Sequence, residues 1–415
     1  MGELLINATN LLQNILLKAE QYPNIPENYM KYLQFAPVFL IFFILVLLLK
    51  PIIARIAQKV NAIDLPAQMR VEKLNPYDQT QGIKAIHKTP TPLLGGVAVL
   101  LPLLLSIPLL ITNNELVIPF LTAGVILLII GILDDVYNLP APIQLAGQLV
   151  ASTVIAISAI DIPFINNPLG GTFNLNWWQI DGNILDITLR LILPGDLLLI
   201  FWIMLCTNAV KWVGGIGGLL ESNMIVAYLM MFVLGIRAES LLVTYTSIAL
   251  AGGIAGGWIF DFPPAKIFTG STGKTMYGFI IAVLALVNGA KVAATIIILA
   301  IPLIDALYVI IHRYRTYKPK NFIELMRING PMHLHHQLYN MNLTPPQILL
   351  VETTIAVFFG VVAVLTTGAY KFFFLLFILF VTLLGIVILN KKAQKKKEEE
   401  AKRVSQESPE SKYSY

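Results

Sequence analysis

Residues 116–137 read LVIPFLTAGVILLIIGILDDVY, an uncharged run over 116–133 that ends on two adjacent aspartates, Asp134 and Asp135. A helix that crosses the ~30 Å hydrocarbon core of a bilayer needs roughly 20 apolar residues. The run approaches that length, so it reads as a membrane span with acidic groups at its end. Working outward, comparable runs fall near 35–49, 93–111, 142–160, 197–213, 223–236, 240–260, 276–290, 292–311, 346–368 and 372–389. None alternates with the two-residue period of a lipid-facing barrel strand, and a helix satisfies its own backbone in lipid. The sequence predicts an all-α polytopic membrane protein with about eleven transmembrane helices. Only Asn288, Gly289 and Lys291 mark the boundary between 276–290 and 292–311.

Composition agrees. Of 415 residues, 56% are hydrophobic and 13% charged, against ~25% charged in soluble domains. The net charge of +5 is no nucleic-acid signature, because the basic residues sit in loops and in one tail. The single cysteine, Cys206, reads as a small buried hydrophobe, which excludes a disulfide scaffold.

Loop charge sets the orientation. Lys50, Arg55, Lys59, Arg70, Lys73, Lys84 and Lys88 lie between the first two runs, and Arg313, Arg315, Lys318, Lys320 and Arg327 between 311 and 346. The opposite loops offer Arg190, Arg237, Lys291 and Lys371 singly. With an odd number of spans, the N-terminus is expected outside and the C-terminus in the cytoplasm, beside Lys391, Lys392, Lys395, Lys396 and Lys397. Three regions follow. Residues 1–34, with Leu4, Leu5, Ala8, Leu11, Leu12, Ile15 and Leu16 at helical spacing, read as an external amphipathic segment rather than a cleaved signal. Residues 35–390 form the transmembrane domain, and 391–415 a disordered polar tail. In the outer loop 161–195, Gly170-Gly171 ahead of Phe173, Leu175, Trp177 and Trp178 suggests a short interfacial hairpin.

The residues that can carry chemistry gather at cytoplasmic helix ends: HKTPTPLLGG (87–96), Asp134-Asp135, 207–219 with 268–275, and His333-Leu334-His335-His336. Ionisable groups beside a span are functional candidates because desolvating them is costly, although a charge at a helix end also serves plain topology. Adjacent carboxylates repel, and so close to the membrane a metal ion or a proton relieves them best. Thr269–Thr275 superficially resembles a P-loop, but Phe268 stands where that motif needs its first glycine. Gly252, Gly253, Gly256 and Gly257 have the spacing of close helix packing. The Gly214–Gly218 run fits either a flexible helix end or a nest of backbone N–H groups for phosphate.

The ordered set HKTPTPLLGGVAV, GILDDVYNLPAPIQLAGQ, TNAVKWVGGIGGL, FPPAKIFTGSTGKT, PLIDALYVIIHR and HLHHQL resembles the polyprenyl-phosphate N-acetylhexosamine-1-phosphate transferases (glycosyl transferase family 4), over roughly residues 85–390. The resemblance implies a membrane enzyme of the cell membrane, with a cytoplasmic cleft and Mg²⁺. Its partners would be polyprenyl phosphate, a UDP-sugar and the bilayer, with no nucleic acid and with room for a homodimer. It implies phosphate neutralisation by Lys88, acceptor or Mg²⁺ binding and proton removal by Asp134 and Asp135, and donor contacts from Asn208, His333, His335 and His336.

The chain also departs from the family pattern. Lys211, Gly214 and Gly217 replace an asparagine and two aspartates, Ser271 replaces the aspartate of Gly-Asp-x-Gly-Ser, and Gln144 replaces a lysine. The Asp-Arg pair ahead of the histidines is missing from 329–332. Three carboxylates are gone from the implied metal cleft, leaving Asp134 and Asp135 to hold Mg²⁺ weakly. The expected site is about three units more positive, so that Lys88, Lys211 and backbone N–H groups would bind diphosphate without metal, with slow transfer. Aspartates restored together at 214, 217 and 271 would be expected to recover Mg²⁺ dependence. Two readings lead, an active phosphoglycosyl transferase and a homologue that binds lipid phosphate or nucleotide sugar without efficient turnover. A transporter would place its charges near the bilayer midplane, not at cytoplasmic ends.

Overall fold

In the computed structural model the described residues are 32–66, 89–111, 115–158, 160, 162–166, 170–184, 187–287, 292–321, 324–325, 328, 332–368, 370–385 and 387–388. Lys88, most of the expected amphipathic segment, the expected turn at 288–291 and the tail lie outside them.

Most of the apolar runs form helices. In chain order these are α1 (Ala36–Lys59), α2 (Gly95–Leu110), α3 (Val117–Tyr137), α4 (Ala141–Ser158), α5 (Gly195–Val213), α6 (Leu219–Arg237), α7 (Leu241–Asp261), α8 (Gly270–Leu286), α9 (Val292–Ile298), α10 (Ala300–Tyr317), α11 (Leu334–Asn340), α12 (Pro345–Leu365) and α13 (Tyr370–Gly385). Among the described residues, α1, α3, α5, α6, α7 and α12 are long and apolar enough to cross a membrane. The pair α9–α10 makes a seventh candidate, bent by 77°. Pro302 accounts for the break: it has no N–H for the Ile298 carbonyl, and its ring crowds that carbonyl. α2, α4, α8 and α13 are shorter apolar helices.

The chain is thus a multi-pass, mostly helical membrane protein with its core around α8. From Met276 to Leu286 every residue of α8 is buried, which makes it the central helix. It packs on α5, α3 and α2. The glycine stripe of α7 lies on α1, where a Cβ at Gly252 or Gly256 would overlap the carbonyl oxygens of Phe39 or Phe43.

Small sheets interrupt the all-helical expectation. β1 (Ile63–Asp64) pairs antiparallel with β2 (Thr91–Pro92). Between α4 and α5, β3 (Phe164–Asn166) pairs with β4 (Thr172–Asn174) across Gly170-Gly171, the expected hairpin. A second hairpin, β5 (Asn176–Ile184) with β6 (Ile187–Pro194), was not legible, because Leu185-Asp186 carries no glycine turn signal. Trp177 and Trp178 are 64% and 66% exposed on it, as suits a membrane interface.

Candidate functional site

Backbone contact between the ends of α2, α3 and α8 builds the site. Phe268 N–H donates to the Pro92 carbonyl at 2.8 Å, Gly95 N–H to Phe268 at 2.9 Å and Gly96 N–H to Thr269 at 2.8 Å. The 89–96 segment is thereby sewn to the start of α8. Gly131 lets α3 approach so closely that a Cβ there would lie 2.5 Å from the Thr272 Cα.

That approach delivers Asp135 to the N-terminus of α8. Its Oδ1 accepts from Ser271 N–H at 2.6 Å, and its Oδ2 from Thr272 N–H at 3.2 Å and the Thr272 hydroxyl at 2.7 Å. A carboxylate satisfies the orphan N–H groups of a first helical turn and complements the helix dipole. The resemblance to a P-loop dissolves here, since the N–H groups that would cradle phosphate are held by Asp135.

Asp134, one residue earlier, faces another set of partners. Gln144 Nε2 donates to its Oδ1 at 2.7 Å, and the Lys211 ammonium lies 3.5 Å from its Oδ2. Lys211 also hydrogen-bonds the Gln144 Oε1. The lysine missing from position 144 is thus made good from α5, against the same aspartate. Asn208, one turn back on α5, donates to Gln148 Oε1 at 2.7 Å, so Asn208 and Lys211 both hold α4.

Glycines admit two further groups. A Cβ at Gly214 would meet the Lys274 Cε at 2.5 Å, and the Lys274 ammonium donates to the Gly214 carbonyl at 3.0 Å. A Cβ at Gly215 would overlap the His335 ring. The N–H groups of Gly214 and Gly215 bond back to Lys211 and Val213, so the glycine run is less a nest for phosphate than a floor beneath Lys274 and His335.

The histidines stand at the start of α11, facing Asp305 of α10. Asp305 accepts from Leu334 N–H at 2.8 Å and contacts His333 Nδ1 at 2.7 Å, fixing the start of α11 and one imidazole together. The rings of His333 and His335 are parallel with centroids 5.5 Å apart, and His335 and His336 lie 4.4 Å apart. Burial pushes His335 well below the ordinary histidine range, with His336, His333 and Lys274 adding to the shift. His336 is pushed down to about 4 by burial and His333, against the opposing pull of Asp305. His335 and His336 are therefore neutral near pH 7. Trp212 packs edge-on to His333 at 5.9 Å and carries the Arg313 guanidinium 5.1 Å over its ring.

The expected residues Asp134, Asp135, Lys211 and the three histidines thus converge near the C-terminus of α5, with Asn208 one turn behind. Sequence reasoning missed Asp305, Lys274, Arg313, Glu221 and the pair Lys50–Asp261. Thr269 hydrogen-bonds Glu221. Lys50 forms a buried ion pair with Asp261 and donates to the Gly257 carbonyl at 3.0 Å. An ionisable residue bordering or interrupting an apolar run was the available signal.

The Mg²⁺ implied by the family pattern does not fit this donor set. Among the described residues no three His, Cys, Asp or Glu side chains come together as metal ligands. Both oxygens of Asp134 and of Asp135 already have partners. Lys211 of α5 lies against Asp134 and Lys274 against the end of the same helix, so the two aspartates face fixed positive charge where a hard dication held by carboxylates and substrate phosphates would have to sit. The expectation that Asp134 and Asp135 act as metal ligands is accordingly not carried forward.

Residues 117–289 match the family model described as glycosyl transferase family 4. The chain is 26% identical over 337 residues to a probable undecaprenyl-phosphate N-acetylglucosaminyl 1-phosphate transferase of Bacillus subtilis, covering 79% of this chain and 83% of that one. It is 24% identical to a decaprenyl-phosphate N-acetylglucosaminephosphotransferase of Mycobacterium tuberculosis, covering 67% and 72%. To a phospho-N-acetylmuramoyl-pentapeptide-transferase of Anoxybacillus flavithermus it is 27% identical, covering 60% and 76%.

Proposed function

The chain belongs to glycosyl transferase family 4, and on that footing we propose that it moves an N-acetylhexosamine 1-phosphate from a UDP-sugar to polyprenyl phosphate, a step that initiates envelope glycan synthesis. The observation that carries this reading is the convergence of Asp134, Lys211 and the His333–His336 cluster on one end of α5. In the proposed arrangement eleven helices span the cell membrane, and the site opens to the cytoplasm.

The chemistry asks for an acceptor oxygen, an electrophilic phosphorus and stabilisation of the leaving group. A lipid phosphate oxygen attacks the β-phosphorus of the donor. The new P–O bond forms as the bond from that phosphorus to the bridging oxygen breaks, and UMP leaves. Asp134 is the proposed base, taking any proton left on the acceptor, since its partners are side chains that can re-aim. Asp135 is a positioning residue, because its oxygens hold the first turn of α8. Lys88, Lys211, Asn208 and the histidines are the proposed contacts to acceptor phosphate and donor diphosphate, where fixed donors facing developing charge contribute most.

A second reading, binding without efficient turnover, rests on the donor set alone. Each of the three relatives described is named as a transferase, and that gives it no support. The test is to supply UDP-N-acetylglucosamine and undecaprenyl phosphate to the protein in lipid nanodiscs and to extract lipid-linked sugar. Product is expected from the parent, and about 10²- to 10⁴-fold less from Asp134→Asn if it removes a positioned base. Equal rates would remove Asp134 from the mechanism.

A further inference from the structure

At the C-terminus of α5 two cations stand one helical turn apart in their attachment: Lys211, in the last turn, and Lys274, whose ammonium is 3.0 Å from the carbonyl of Gly214, the residue that ends the helix. The negative end of a helix dipole favours cations there. The partners of the two lysines differ. Lys211 is engaged by Asp134 and Gln144. An ammonium has three donors, and among the described residues Lys274 spends one, on a neutral carbonyl.

Lys274 is also coupled to the glycine beneath it. Its methylenes fill the volume into which a side chain at 214 would grow, so Gly214 and Lys274 act as one unit that places positive charge where a carboxylate would bring negative charge. Beside them, His335 is 2% exposed, and its Nε2, turned toward Gly215, has no hydrogen-bond partner among the described residues. The other anion-binding devices nearby are spent: Asp135 holds the N-terminus of α8, and the first N–H groups of the glycine run bond back to α5.

We infer that Lys274, with Lys211 beside it, stands in for a divalent cation and holds a phosphate of the substrate directly, so that phosphate binding at this site needs no metal. The inference rests on the transferase reading for the identity of the phosphate, which belongs either to the nucleotide diphosphate or to the lipid. Both offer anionic oxygens that accept short, charge-assisted hydrogen bonds from an ammonium.

The test uses the full-length protein in nanodiscs, titrated with UDP and, separately, with undecaprenyl phosphate, each in EDTA and in excess Mg²⁺. The phosphate source is whichever probe loses affinity in Lys274→Met, a substitution that keeps methylene volume over Gly214. We expect parent affinity for that probe to change by less than about threefold between EDTA and Mg²⁺. Lys274→Met should weaken it roughly tenfold or more, the scale of one charge-assisted hydrogen bond, while Lys274→Arg retains most of it. Thermal unfolding of each variant checks that the fold is intact. Binding that falls tenfold or more in EDTA, or affinity for both probes unchanged in a folded Lys274→Met, overturns the inference and leaves the transferase reading standing. A parent that binds neither probe in either condition overturns both.

Discussion

The Lys274 ammonium lies 3.0 Å from the carbonyl oxygen of Gly214, and its methylenes fill the space a side chain at 214 would take. Gly217 is closed differently: a Cβ there would sit 2.7 Å from the Asp261 carbonyl oxygen and 3.2 Å from the Ala265 Cβ. The flexible end of a lysine yields and backbone does not. Gly214→Asp is therefore expected to stay within about 1 kcal/mol of the parent, with Lys274 swung aside into an ion pair. Gly217→Asp overpacks the site and turns a carboxylate toward a carbonyl, at a cost of about 1–3 kcal/mol or more. Thermal unfolding in detergent distinguishes them, and equal stability would refute the geometry. The triple restoration of aspartates suggested by the sequence should fail at position 217 for this reason.

The buried ion pair of Lys50 and Asp261 joins α1 to the end of α7. Removing one member strands the other as a buried charge, which typically costs 3–5 kcal/mol, whereas replacing both is often close to neutral. Lys50→Met is expected to destabilise strongly, and Lys50→Met with Asp261→Leu to recover most of the loss. A double variant no more stable than the worse single one would contradict the pairing.

Histidine protonation gives a pH signature. His336 titrates near 6.5 when unfolded and at about 4 when folded, so between those values the unfolded chain binds more protons. Its contribution to stability is full above pH 6.5 and is lost as pH falls toward 4. His333, His335 and Asp305 face it and remain in both chains if the parent is compared with His336→Gln. The difference between their melting temperatures is expected to shrink over that window. A constant difference would refute it.

Topology is testable by labelling. In a Cys206→Ala background, Leu5→Cys and Ile165→Cys should react with an impermeant maleimide in intact cells. Asn75→Cys, Leu325→Cys and Glu410→Cys should react only after lysis. Labelling of position 75 or 325 in intact cells would invert the proposed orientation.

Much of the scaffold was legible because hydrocarbon thickness fixes the length of an apolar run. The start of α10 was not, since Pro302 breaks the helix inside a run that reads as continuous. At the site, Asp134 and Asp135 were visible as a pair, but their separate duties were not. One residue of offset turns Asp135 to the first turn of α8 and Asp134 to Lys211 and Gln144, a difference set by tertiary packing at Gly131. Lys274 lies in a stretch that only imitates a phosphate loop, and its reach to Gly214 spans 60 residues of sequence. Asp305 interrupts an apolar run with no partner near it in sequence, and only the fold brings it to His333.

The most direct measurement follows the nucleotide released when the protein in nanodiscs meets UDP-N-acetylglucosamine and undecaprenyl phosphate. Transfer of sugar with its phosphate liberates UMP, while transfer of sugar alone liberates UDP. UMP is expected in equal amount to the lipid-linked product, and to depend on added undecaprenyl phosphate and on Asp134. Release of UDP, or no release of either nucleotide from a folded protein that binds both substrates, would contradict the proposed function.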